Sequence, residues 1–141
     1  MKRAQTVWIT GASSGIGEAL ALTYNAKGYH TILSARRSEV LESIQKKLTH
    51  PEQSYLLPLD LEQHENAEAW YNQASAFTGS IDVLINNAGM GHLGTAIEME
   101  LDIERKVFEV NFWGAVALTK AVLPHMTCLL YTSPSPRDSD S

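Results

Sequence analysis

The chain has 141 residues, 44% apolar and 19% charged, which excludes a wholly disordered or collagen-like polypeptide and leaves room for one core without covalent staples. Its 11 Lys and Arg against 16 Asp and Glu give a formal charge of −5, so the bulk signature of a nucleic-acid binder is missing. The single Cys128 excludes an intramolecular disulfide and a cysteine-based metal cage, and no apolar run approaches the ~18 residues that span a bilayer. A cytoplasmic chain with no membrane, nucleic-acid or metal partner is therefore expected.

In chain order, short apolar runs at Thr6–Thr10, Thr31–Ala35, Tyr55–Leu59 and Val83–Asn86 predict strands buried on both faces. Helical periods separate them. Ile16, Ala19, Leu20, Thr23 and Tyr24 share one face, with Gly28 as a stop. Val40, Leu41, Ile44 and Leu48 form a second stripe behind Ser38, a candidate N-cap, with Pro51 beyond its end. Ala67, Trp70, Tyr71, Ala74 and Phe77 form a third, with acids Glu62, Glu65 and Glu68 near its start and Gly79 after it. A fourth helix is expected from about Asp102 to Met126, ended by Pro124. Alternation of strand and helix implies an open parallel sheet with helices on both faces. Thr127–Ser141, with its Ser133-Pro134-Ser135-Pro136 run, reads as a disordered tail.

The run Thr10-Gly11-Ala12-Ser13-Ser14-Gly15-Ile16-Gly17 lies between the first strand and the first helix, the place where a glycine pattern carries chemistry. Gly11 allows a tight turn, Gly15 lets backbone approach a pyrophosphate, and Gly17 lets the helix pack on the sheet. The helix N-terminus offers unpaired N–H groups to phosphate. The spacing departs from G-x-G-x-x-G and lacks the Lys of a nucleotide-triphosphate loop. The alternative is an ordinary glycine-rich turn. An NAD site usually carries an acid at the end of the second strand. Here that place reads Ser34-Ala35-Arg36-Arg37, and a guanidinium suits a 2′-phosphate. NADP(H) is therefore favoured over NAD(H), against the alternative of two solvated arginines.

Taken together these residues resemble the short-chain dehydrogenases/reductases. Four motifs match in order: Thr10–Gly17; Asp60-Leu61 after the third strand; Asn86-Asn87-Ala88-Gly89 after the fourth; and Asn111 in Val110-Asn111-Phe112-Trp113-Gly114. The resemblance implies a Rossmann-type, doubly wound parallel sheet over residues 1–126, truncated after the fourth strand and the following helix. It implies that Asp60 contacts adenine with the Leu61 backbone nearby, that Asn87, Ala88 and Gly89 line the ribose, and that Asn111 is a catalytic residue holding a water in a proton relay. It implies hydride transfer to or from a small carbonyl or alcohol, and a homo-oligomer built partly through the last helix. Residue by residue the alternatives stay open. Asp60 suits a helix cap, Asn86–Gly89 suits a plain turn, and the crowding of Asn111 by Val110, Phe112 and Trp113 suggests a used amide.

The family's proton donor is a Tyr with Lys four residues on. The residues four after Tyr24, Tyr29, Tyr55, Tyr71 and Tyr131 are Gly28, Leu33, Leu59, Ser75 and Ser135, so the pair is absent from this chain, which is expected to bind without turning over. Thr127–Ser141 is similar to translated sequencing-adaptor sequence, and the expectation is a truncated reading frame with foreign codons after about Met126. A non-catalytic NADP(H)-sensing module and a purely structural domain are the rival readings. Met90 and His92, in the loop after Gly89, are weaker candidates for substrate contact.

Overall fold

The structure, a computed structural model, describes residues 4–13, 15–89 and 100–129, with side chains through 126. Strands β1 (Thr6–Thr10), β2 (His30–Ser34), β3 (Ser54–Leu56) and β4 (Val83–Ile85) form one parallel sheet in the order β3-β2-β1-β4. The first apolar run lies inside this sheet. All five β1 residues are buried, because β1 pairs with β2 from Thr6↔His30 to Thr10↔Ser34 and with β4 from Val7↔Val83 to Ile9↔Ile85.

Alternation along β1 divides the core in two. Val7 and Ile9 pack with Ala21 of α1 (Gly15–Ala26) and with Leu41 and Ile44 of α2 (Ser38–Gln45). Trp8 points the other way, toward Trp70, Tyr71 and Ala74 of α3 (Ala67–Thr78) and Leu118, Ala121 and Val122 of α5 (Gly114–Leu129). Helices thus cover both faces, as expected of a Rossmann-type sheet. None of the described helices is long and apolar enough to cross a membrane.

The buried face of α1 differs from the expected stripe. Gly17, Ala21 and Asn25 are buried, whereas Ile16 is 71% exposed. A polar residue sets this rotation. The Asn25 carboxamide accepts the His50 N–H at 2.7 Å and donates to the His50 carbonyl at 2.9 Å and to the Thr31 hydroxyl at 3.4 Å. Hydrophobic periodicity cannot see such a residue. Ser38 also is not the cap of α2. Arg37 takes the cap position in extended conformation with no side-chain bond, and Ser38 is the first helical residue.

β3 is shorter than the expected Tyr55–Leu59, but its chain stays tied to β2. Leu57 N–H donates to the Leu33 carbonyl at 2.9 Å and Leu59 N–H to the Ala35 carbonyl at 3.0 Å. Pro58, between them, sits where its missing N–H would face away from β2, which an edge strand tolerates.

The single helix expected from Asp102 to Met126 is three segments: α4 (Leu101–Phe108), a π-helical turn over Glu109–Trp113, and α5. The π turn is closed by the Gly114 N–H donating to the Glu109 carbonyl. Gly114 is buried against Leu61, and a Cβ on it would lie 2.8 Å from the Leu61 carbonyl oxygen. Pro124 lies inside α5 and does not end it. Proline in a helix interior costs roughly 3 kcal/mol, which burial on both sides offsets here: Leu118 and Val122 are fully buried before it, and Met126 packs on the same cluster after it. The helix runs on to Leu129, past the expected boundary at 126. The remainder of the expected tail lies outside the described residues.

Candidate functional site: the cleft at the ends of β1 and β4

β1 lies between β2, which follows it through α1, and β4, which arrives from the far side. The connections leaving β1 and β4 therefore diverge, and in such sheets ligands bind in the crevice outside the strand C-termini at that point.

Thr10 closes β1. Its buried hydroxyl accepts the N–H groups of Asn87 and Ala88, both at 3.1 Å, and lies 3.4 Å from the Ile85 carbonyl, to which it donates. The Asn87 carboxamide donates to the Gly11 carbonyl at 3.1 Å. The segment after β4 is thus fastened to the glycine loop by side chains from both. Gly11 has φ +63° and a Cβ there would stand 2.6 Å from the Ala88 Cα, so both conformation and space require glycine. Gly17 answers to space alone: a Cβ would fall 2.0 Å from the Gly11 carbonyl oxygen. Gly15, at φ +60°, meets nothing within 4 Å. It opens the α1 N-terminus rather than packing it.

Above the strand ends lies a cavity of about 260 Å³. Thr10, Gly11 and Ser13 line it from the loop, Ser34, Ala35 and Arg36 from the end of β2, and Leu59, Asp60 and Leu61 from the chain after β3. Ala88, Gly89 and Val110 complete it. A second cavity of about 440 Å³ adjoins it between Ser13, Arg36 and Arg37. Neither arginine has a carboxylate partner among the described residues. Asp60 acts in the wall and as a cap at once, since its Oδ1 accepts the Glu62 N–H at 3.0 Å.

Of the residues expected from sequence, Thr10, Gly11, Ser13, Arg36, Asp60, Leu61, Ala88 and Gly89 meet in the first cavity, and Arg37 borders the second. Gly15 and Ile16 are exposed at the start of α1, and Gly17 and Asn87 support the loop. Ser14, Met90 and His92 lie outside the described residues. Asn111 stands in the π turn with its Oδ1 3.3 Å from where a Gly89 Cβ would be, which brings the last two motifs together. The expected crowding is not observed: Asn111 is exposed, and Phe112 and Trp113 are each 50% exposed with their rings edge-on to one another at 4.9 Å. Phe112 and Trp113 are thus left half open to solvent on this face.

Ser34 and Val110 line the cavity but were not singled out by sequence. The Thr10↔Ser34 pairing brings Ser34 level with the glycine loop, and its hydroxyl is held by the Trp8 indole N–H at 2.8 Å. Val110 reads in sequence only as a neighbour crowding Asn111, not as a cavity residue.

The four motifs thus surround one crevice, and the matches to known proteins agree. The family model described as short chain dehydrogenase matches residues 5–131. The chain belongs to the short-chain dehydrogenase/reductase family. The human protein named Dehydrogenase/reductase SDR family member 7 is 42% identical over 125 residues, covering 85% of this chain and 37% of its own length. A short-chain dehydrogenase from Streptomyces avermitilis superposes with TM-score 0.85 at 33% identity, over 92% of this chain and 47% of that one. A metagenomic short-chain oxidoreductase in complex with NADP gives TM-score 0.83 at 29% identity, over 89% of this chain and 57% of that one. The chain therefore spans about 37–57% of the length of these family members.

Proposed function

We propose that this chain is the NADP(H)-binding part of a short-chain carbonyl reductase or alcohol dehydrogenase that acts on a small molecule. The observation that carries the reading is Arg36, which borders both cavities and has no carboxylate partner among the described residues. An adenosine in the first cavity would put its 2′ position toward the second. A 2′-phosphate would there meet Arg36 and Arg37, where an NAD-specific site carries an acid.

The residues present fit a dinucleotide. The open N-terminus of α1 beside Gly15 would take the pyrophosphate on backbone N–H groups. Asp60 and Leu61, which line the cavity, would form the adenine wall, and Ala88 and Gly89, fastened through Asn87 and Thr10, would form the ribose side. The bound nicotinamide would supply or accept the hydride. Asn111, beside Gly89, would hold a water on the relay path. Since no Tyr in this sequence has Lys four residues on, the 141-residue chain by itself is proposed to bind without turnover. The second reading is a non-catalytic module that senses NADP(H). Both readings expect calorimetry to show NADPH binding well above NADH, and equal or no binding of the two contradicts both. NADPH oxidation by this chain with a carbonyl substrate, above a Gly15→Trp control, would contradict the claim of inactivity.

The exposed Phe108, Phe112, Trp113 and Leu123 lie on α4, the π turn and α5, and support the proposal that the whole protein is a homo-oligomer through this surface. A cytoplasmic location remains part of the proposal.

A further inference from the structure

The chain after Asp60 is tied at three places to the helix that carries Asn111. Leu61 packs against Gly114, where any Cβ would meet the Leu61 Cβ at 2.8 Å. Lys106 Nζ lies 3.6 Å from Glu62 Oε2. His64 Nε2 and Glu109 Oε2 stand 2.7 Å apart, both partly buried. The first tie is packing and the second is a long surface pair. The third is short and falls at a particular place: Glu109 is the first residue of the π turn, and its own carbonyl accepts the N–H that closes that turn.

His64 and Glu109 do not line the cavity themselves. Their neighbours do, Asp60 and Leu61 on one side and Val110 on the other. The pair therefore bridges two walls of one cavity from behind. π turns inside helices are rare and cluster at functional sites, and here Asn111 rides on the turn that Glu109 begins. An imidazole Nε2–H donates to a carboxylate whether the ring is neutral or protonated, so the tie does not require a full ion pair.

We propose that His64 and Glu109 are a positioning pair that fixes the Asp60–Leu61 wall against the π turn, so that filling the adenosine side of the cavity orders the turn bearing Asn111. This rests on the NADP(H)-binding reading above. Neither residue touches the ligand. Their effect on affinity is that of a partly exposed pair, roughly two- to fivefold, and it falls equally on NADPH and NADH because the arginines are untouched.

The test uses the 141-residue chain, titrated calorimetrically with NADPH, NADH and adenosine 2′,5′-bisphosphate, with amide hydrogen exchange followed over residues 108–114. In the unsubstituted chain the bisphosphate, which has no nicotinamide, is expected to slow exchange across the π turn. His64→Ala and Glu109→Ala are each expected to weaken both dinucleotides by the same factor and to abolish that slowing. His64→Gln, which keeps a donor, is expected to retain it. His64→Leu keeps bulk without a donor and replaces an alanine variant that does not fold. Alanine variants that bind and protect like the parent overturn the pair's role and leave the NADP(H) reading standing. A His64→Gln variant that behaves like His64→Leu overturns it too, since bulk rather than the hydrogen bond would then decide. A parent chain that binds none of the three ligands overturns both.

Discussion

The Thr10 hydroxyl accepts the backbone N–H of Asn87 at 3.1 Å, joining the end of β1 to the segment after β4 across the crevice. The same oxygen accepts the Ala88 N–H, so one buried side chain takes two donors, of which the Asn87 N–H also reaches the Ile85 carbonyl at 3.1 Å. Thr10→Val keeps the shape, removes the acceptor of the Ala88 N–H and leaves the Asn87 N–H with the Ile85 carbonyl alone. An unsatisfied buried group costs about 1–3 kcal/mol, so urea denaturation is expected to show a loss of roughly 1–3 kcal/mol. Thr10→Ser keeps the oxygen and is expected to lose much less. Equal losses for the two would mean that the methyl, not the hydroxyl, matters.

Gly15 and Gly17 separate binding from stability. Gly17→Ala puts a carbon into the Gly11 carbonyl, and an overpacked site without room to relax costs at least about 1–3 kcal/mol. Gly15→Ala meets open space and costs only the left-handed conformation, about 1–2 kcal/mol. Denaturation midpoints should fall further for Gly17→Ala. The damage from Gly15→Ala should appear chiefly as weaker NADPH binding. The reverse order of midpoints would contradict this account of the loop.

Asn25 illustrates what sequence patterning conceals. Its carboxamide makes both a donor and an acceptor bond to the His50 backbone from a fully buried position. Asn25→Leu leaves the His50 N–H without its acceptor while the His50 carbonyl keeps the Gln53 N–H at 3.0 Å, and a destabilisation of about 1–3 kcal/mol is expected in thermal or chemical melts. A neutral or stabilised variant would show that water reaches His50 instead.

Much of the architecture was legible because its signals are local. Val7-Trp8-Ile9 is apolar without interruption, since β1 is covered on both faces, and Gly11 and Gly17 are marked by steric demands that only glycine meets. What sequence misplaced depends on contacts far along the chain. The face of α1 is set by Asn25 reaching His50, the π turn by Gly114 meeting Leu61, and the persistence of α5 through Pro124 by Leu118, Val122 and Met126 on the α3 side of the core. Asp60 was readable both as a cap and as a binding residue. It caps Glu62 and lines the cavity, so those readings were never exclusive.

β4 lies at the edge of the described sheet, beside a groove bordered by Leu84, Val122, Leu123 and Met126. An unpaired apolar strand edge invites association, and Phe108, Phe112 and Trp113 add exposed apolar area. Sedimentation of the 141-residue chain is expected to show concentration-dependent association, reduced by Phe112→Glu together with Trp113→Glu. A monodisperse monomer with cooperative melting would count against this.

The central claim is that Arg36 selects a 2′-phosphate, and calorimetric titration of the parent chain and of Arg36→Ala with NADPH and NADH tests it most directly. Charge-assisted hydrogen bonds contribute about 1.5–3 kcal/mol. Arg36→Ala should therefore weaken NADPH by roughly ten- to a hundredfold and leave NADH within a factor of about two. An equal loss for both cofactors, or none for NADPH, would contradict the claim.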